Sequence, residues 1–256
     1  MSVPHPVAVL VDACLLPSCG GERLPGWIAS GLTEGLPGVV LHGDVPADLR
    51  ALYPDALIGL TPRDGAACGE AAAAELMAAG ANVHLGVRPR AAAGDTGSYV
   101  AELQGHGVAA ALGPFTGDGA LRPFAEGVAA GVMAVAVDPL AALAGGCVPE
   151  VLRGELGYEG VAVSEPLDAP AVVDRWGIPG AAVLAWIAGL DLLQLGPGCG
   201  PGVHQAVHTA AARAVADGDL SVARLAEAAD RVARLRRWAG DPGRLSREGY
   251  GVRHGW

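Results

Sequence analysis

The stretch GVAVSEPLDA, residues 160–169, sets one acid, Glu165, directly after a short apolar run and a second, Asp168, three residues on. Another such run, VMAVAVD (132–138), ends in Asp138. Two carboxylates on neighbouring strands can hydrolyse a substrate as nucleophile and acid. The separation of their oxygens sets the route: about 5–5.5 Å for direct attack and about 6.5–9.5 Å when a water stands between. Asp118, in a short loop, is a third acid within reach of the same chemistry. Arg63, Arg88 and Arg90 follow apolar runs, and arginine among acids can clamp a carboxylate or phosphate. His204 and His208 have the i, i+4 spacing of a metal pair but lack the glutamate of HExxH, so they read as a surface pair on a helix. Cys199, in GPGCGPG, reads as a turn cysteine. A nucleophilic thiol there would need a histidine, with His204 nearest in sequence, and the glycine-rich loop is also suited to cradling an anion.

These residues need elements to hold them. The apolar runs are short, unalternating and rich in valine, as in strands buried on both faces. They are 7–13, 38–43, 55–60, 82–87, 107–112, 132–138, 160–165 and 190–196. Alanine-rich segments with helical spacing lie between most of them: 69–80, 96–107 and 121–131. A final helix over 220–238 places Leu225, Ala229, Val232 and Leu235 on one face and arginines on the other. Strand–helix alternation of this length predicts an α/β fold, a shortened (β/α)8 TIM-type barrel, over residues 1–238. No GxGxxG opens a helix after a strand, so a dinucleotide fold has no support. Residues 239–256 read as a tail, either disordered or an oligomer arm in a homo-oligomer. In such a barrel the chemistry sits at the C-terminal strand ends. The nominated ring is Asp12, His42, Asp44, Arg63, Asp64, Arg88, Arg90, Thr116, Asp118, Asp138, Glu165, Asp168 and Gln194.

Composition narrows the classes. The 256 residues are 51% hydrophobic and 17% charged, enough for a sizeable core. Net charge is −10 and lysine is absent, which argues against nucleic acid or an anionic membrane as partner. The five cysteines are scattered, without a CxxC, so neither a metal nor any other cofactor is expected, and the thiols fit a reducing compartment. The N-terminal apolar run lacks a basic flank and is too short to span a bilayer; the expected location is the cytoplasm.

The segment VLRGELGYEGVAVSEPLDAPAV (151–172) resembles glycoside hydrolase family 3, in particular its bacterial β-N-acetylhexosaminidases. There the pattern is LLRxELGFxGVVVSDDLDM and the first Asp after Ser is the nucleophile. The stretches 24–43, 177–198 and 220–236 are similar to further parts of that family, in order. The resemblance implies a barrel with a sugar site at its mouth and Glu165 at the nucleophile position. Glutamate carries the carboxylate about 1–1.5 Å further out than aspartate, and small misplacements of reacting groups cost orders of magnitude in rate. The family's KHFPGHGxTxxDSH is matched by AALGPFTGDGALRPF (110–124), where Leu112 and Gly113 replace its Lys and His and the histidine loop is missing. Its DxEGGxVxR segment is matched by LTPRDGAACGE (60–70), and its later Asp and Arg by GVRPRAAAGDTGSYV (86–100), with Arg88 or Arg90 as a shifted substitute.

Three functions follow as expectations. The first is a barrel that has lost its sugar-binding and acid/base motifs and binds a small sugar-like or anionic ligand, a protein or its own copies without turnover. The second is an active glycosidase with Glu165 as nucleophile, Asp118 or Asp138 as acid, and Arg63, Arg88, Arg90 and Asp168 on the substrate. The third is an enzyme for a non-glycosidic substrate that uses the polar ring.

Overall fold

A computed structural model describes residues 6–20, 23–60, 68–90 and 94–241. Eight parallel strands form one sheet: β1 (Leu15–Gly20), β2 (Gly38–His42), β3 (Leu57–Leu60), β4 (Val83–Val87), β5 (Ala109–Phe115), β6 (Ala134–Val137), β7 (Val161–Ser164) and β8 (Leu193–Leu195). Each pairs in parallel with the next, and β1 pairs with β8. A single bridge, Val163 to Leu192, closes the ring between β7 and β8. The architecture is the expected (β/α)8 barrel.

Parallel strands need covering on both faces, and two apolar layers supply this. The inward positions alternate along each strand: Leu16, Val40, Leu57, Val83 and Leu85, Ala109 and Ala111, Ala134 and Ala136, Val161 and Val163. Small residues on β5 and β6 leave room for the leucines opposite. The outward positions pack under the helices α2 (Gly26–Glu34), α4 (Gly69–Ala78), α5 (Asp95–Gly105), α6 (Arg122–Ala129), α8 (Pro170–Ile187) and α9 (Pro201–Asp217). A short α3 (Leu49–Leu52), α7 (Pro139–Ala144) and a π-helical segment, Cys147–Glu155, complete the ring. The two halves of α8 meet at a kink, where Gly177 takes φ +64°.

The first element differs from the sequence expectation. Residues 7–13 are helical, within α1 (Pro6–Ala13), and β1 is the following LLPSCG. Three valines in seven residues look like a strand, yet Val7 and Val11 are the buried pair, one helical turn apart. The true strand is masked by Pro17 and Gly20. Its residues 15–17 face β8 and residues 18–20 face β2, so the proline stands where pairing changes sides.

The last helix, α10 (Val222–Gly240), does more than cover the barrel. Leu225 and Ala228 join the outer layer, whereas Val232, Leu235 and Ala239 join the inner layer and stop the N-terminal mouth. Its arginines do not all face solvent. Arg224 and Arg231 turn onto Asp191, at 2.7 and 3.2 Å, and Arg153 of the π-helical segment reaches the same carboxylate at 2.7 Å. Asp191 is fully buried and also accepts the Ala162 amide at 3.0 Å. Arg153 further donates to the carbonyls of Tyr158 and Gly160. The arginine of LRGELG and the aspartate of GLDLLQLG thus tie β7, β8 and α10 together below the barrel. Asn82 works alongside: its Oδ1 accepts the Ile58 amide at 2.7 Å and its Nδ2 donates to Ala56 and Ala239 carbonyls.

Residues 242–256, most of the expected tail, lie outside the described residues. Among the described residues no helix is long and apolar enough to cross a membrane.

Candidate active site

At the C-terminal strand ends a cavity of about 920 Å³ opens above the inner layer. Its floor is apolar, from Val40, Leu85, Ala136 and Val163. Its polar wall holds His42, Asp44, Arg88, Ser164, Glu165 and Gln194, and it extends past Arg50 to the end of α4 with Glu75. A small polar ligand suits such a space, with apolar surface beneath and a few polar groups converging from the rim.

Glu165 arrives there for a simple reason. Val161 and Val163 point inward on β7, and two residues on is the next inward position, one step past the strand. Its amide donates to the Val137 carbonyl at 3.0 Å, which fixes the backbone against β6. Burial, then the charge of Asp138, raises its carboxyl above the ordinary carboxylate range, while Arg88 pulls it back. Ser164 Oγ accepts the Gln194 amide at 2.9 Å, and Gln194 Nε2 donates to Ser18 Oγ at 3.4 Å. This chain of polar groups holds β7, β8 and β1 in register directly beside Glu165.

The remaining nominated residues divide. His42, Asp44, Arg88, Glu165 and Gln194 border the cavity. Asp138 does not; its Oδ1 caps α7 by accepting the Ala141 amide at 2.9 Å, although it lies close enough for its charge to act on Glu165. Asp118 is exposed and does not border the cavity. Arg90 stacks its guanidinium 4.3 Å over the Tyr99 ring, away from the cavity wall. Thr116 is exposed on the following loop. Arg63 and Asp64 lie outside the described residues. Asp168 packs against the end of β8 instead: any Cβ at Gly196 would overlap its carboxylate. Gly196→Ala is therefore expected to turn the partly exposed Asp168 carboxylate away at a cost below about 1 kcal/mol. Urea unfolding checks this, and a larger loss would mean that Asp168 is held where it stands.

The positions matched to the family's Lys and His are informative. Leu112 is fully buried in the outer layer. A Cβ at Gly113 would lie 2.6 Å from that of Ala136 and closer still to its carbonyl oxygen, so no side chain fits there without backbone movement.

Two expectations are corrected away from the mouth. Asp12 is not a strand-end residue; helical α1 carries it to the outside of the barrel. His204 and His208 are not a solvated surface pair. Both Nε2 atoms sit 2.8 Å from one oxygen, Asp12 Oδ1, and all three side chains are mostly buried. Burial would raise the Asp12 carboxyl, but the two imidazole hydrogen bonds outweigh it and hold it at about 2. His204 is thereby engaged and also packs 5.4 Å from the Trp27 ring. Cys199 gains no activation: burial and then Asp168 push its thiol up to about 11. His84, inside β4, is buried and pushed down to about 4, with its Nδ1 lacking a hydrogen bond.

No family profile matches the chain. Among solved structures, a glycoside hydrolase family 3 β-N-acetylglucosaminidase from Paenibacillus sp. str. FPU-7 superposes with a TM-score of 0.73 at 20% identity, covering 91% of this chain and 62% of that one. A β-N-acetylhexosaminidase from Beutenbergia cavernae gives 0.74 at 18% identity, covering 90% of this chain and 98% of that one. A β-hexosaminidase from Alkalilimnicola ehrlichii is 44% identical over 61 residues, 23% of this chain and 18% of that protein. The barrel of this chain has the fold of the glycoside hydrolase family 3 β-N-acetylglucosaminidases.

Proposed function

We propose that this is a barrel protein of the glycoside hydrolase family 3 type that binds a small sugar-like or anionic ligand at its mouth without cleaving a glycosidic bond. The observation that carries this reading is the pair Leu112 and Gly113. One is buried under the helices and the other has no room for a side chain, so the family's sugar-holding Lys and His have no equivalent at these positions. The two acids nominated as partner to Glu165 point the same way, because Asp138 is occupied as a helix cap and Asp118 does not border the cavity. What remains suits binding. Glu165 and Gln194 accept and donate hydrogen bonds to hydroxyls, Arg88 meets an anionic group, and the apolar floor takes a sugar-ring face. The substitution Asp to Glu at the strand end retains a hydrogen-bonding carboxylate while moving it from the position of attack.

Isothermal titration with N-acetylglucosamine and with glucuronate tests this. Saturable binding of at least one is expected, weakened about tenfold or more by Glu165→Gln, and Arg88→Ala should act on the anionic sugar selectively. No heat with either sugar, in a folded protein, would refute the ligand class. The pH dependence has a definite sign. Glu165 accepts hydroxyls best as carboxylate, so affinity falls as pH drops through its raised pKa, and Arg88→Ala moves that midpoint higher. Because the folded state holds the Glu165 proton more tightly than the unfolded chain, ionised Glu165 costs stability as pH rises. Glu165→Gln is expected to raise Tm at neutral pH while losing ligand, and a lowered Tm would contradict that sign.

A further inference from the structure

We propose that Asp12, His204 and His208 form a site for a divalent transition-metal ion of the zinc class, on the outside of the barrel between α1 and α9. The two histidines stand one helical turn apart on α9, which aligns both rings on one face. The aspartate comes from α1, at the other end of the sequence, and presents one oxygen to both rings. The three donor atoms all lie within 4.8 Å of one another. Two imidazole nitrogens and a carboxylate oxygen are a donor set that zinc accepts, with bonds of about 2.0–2.2 Å and a fourth position left for water or another donor. Tetrahedral ligands at that length stand roughly 3.4 Å apart. Asp12 Oδ1 now stands 2.8 Å from each ring nitrogen, so it draws back by a fraction of an ångström to admit an ion.

Several features favour an ion over a simple hydrogen-bonded clip. Both Nε2 atoms must carry a proton to donate to the same carboxylate oxygen, Asp12 Oδ1. A cation replaces those protons and satisfies all three donors at once. The rings are held in place, His204 against Trp27 at 5.4 Å and against His208 at 4.6 Å, so little side-chain freedom is lost on binding. Nothing in the cavity at the barrel mouth touches this cluster, so the site is independent of the proposed sugar site. Its consequence is mechanical. A bound ion pins the N-terminal helix α1 to α9 and therefore to the strands β8 and β1 that these helices flank.

The test uses the full chain after dialysis against a chelator. Zinc chloride is titrated by calorimetry, and cobalt(II) is followed by its visible spectrum. One ion per chain is expected, with a cobalt spectrum of nitrogen and oxygen ligation and a zinc-dependent rise in Tm. Asp12→Asn and His208→Ala should each weaken zinc by about a hundredfold or more and abolish the Tm rise. His208→Gln, which keeps a hydrogen-bonding side chain against Asp12, guards against loss through misfolding, checked by circular dichroism. His106→Ala and Cys68→Ser, at exposed positions away from the cluster, should change nothing. Three results overturn the proposal: no saturable zinc binding, binding unaffected by Asp12→Asn and His208→Ala, or a cobalt spectrum of thiolate ligation lost in Cys68→Ser. Destabilised variants of a wild type that binds no metal belong with the first of these and leave only a hydrogen-bonded clip.

Discussion

Asp191→Ala is expected to destabilise the protein by about 3–5 kcal/mol, the usual cost of removing one partner from a buried ion pair. Asp191 is fully buried, and three guanidiniums converge on it at 2.7, 2.7 and 3.2 Å. The arginine side chains are themselves 16–18% exposed. Without the carboxylate, three cations stay close together with only the half-exposed Glu227, which pairs with Arg224 and Arg231, to offset them, and the Ala162 amide loses its acceptor. The affected elements are the π-helical segment, the starts of β7 and β8, and α10, so the loss spreads along the base of the barrel. At about 2–4 °C per kcal/mol for a chain of this size, Tm should fall by roughly 6–20 °C. Arg224→Ala should cost less, because two cations still pair with Asp191. A loss below about 1 kcal/mol for Asp191→Ala would mean that water already screens the cluster.

Leu235→Ala is expected to cost about 2–5 kcal/mol. Leu235 is 2% exposed and borders a small interior space with Leu16, Leu57, Val83, Leu85 and Leu192. The strands around it are hydrogen-bonded into a ring and cannot close inward, so the lost methylenes leave a cavity instead of a repacked core. Leu225→Ala, in the outer helix layer, should cost less because helices can shift where a closed sheet cannot. Denaturant midpoints for the two variants decide this, and equal losses would contradict a plug role for the second half of α10.

Seven of the eight strands were legible because a parallel barrel buries both faces, and short valine-rich runs such as 132–138 and 160–165 have few other uses. The first was not. Helical α1 carries strand-forming valines, and β1 carries a proline that usually argues against a central strand. That single exchange also hid the Asp12–His204–His208 cluster, whose members stand 192 and 196 residues apart and meet only once α1 is placed against α9. The position of Glu165 was readable from strand parity, since inward Val161 and Val163 put it at the mouth. The division of labour among the acids was not, because capping of α7 by Asp138 and packing of Asp168 on Gly196 depend on turns with no distinctive spacing. Asp191 was missed because an acid inside LDLLQLG looks like part of a strand, and its arginine partners come from two distant elements, the π-helical segment and α10. The i, i+7 spacing of Arg224 and Arg231 on α10 was the available signal.

The most direct test of a mouth that binds without cleaving is hydrolysis of nitrophenyl N-acetyl-β-glucosaminide at high protein concentration, with Glu165→Gln assayed in parallel. The prediction is a rate no higher than that of buffer for both proteins, while the unsubstituted protein still binds a sugar. Turnover that is present in the unsubstituted protein and disappears in Glu165→Gln would contradict it, and would establish Glu165 as a working nucleophile with an acid drawn from elsewhere on the rim.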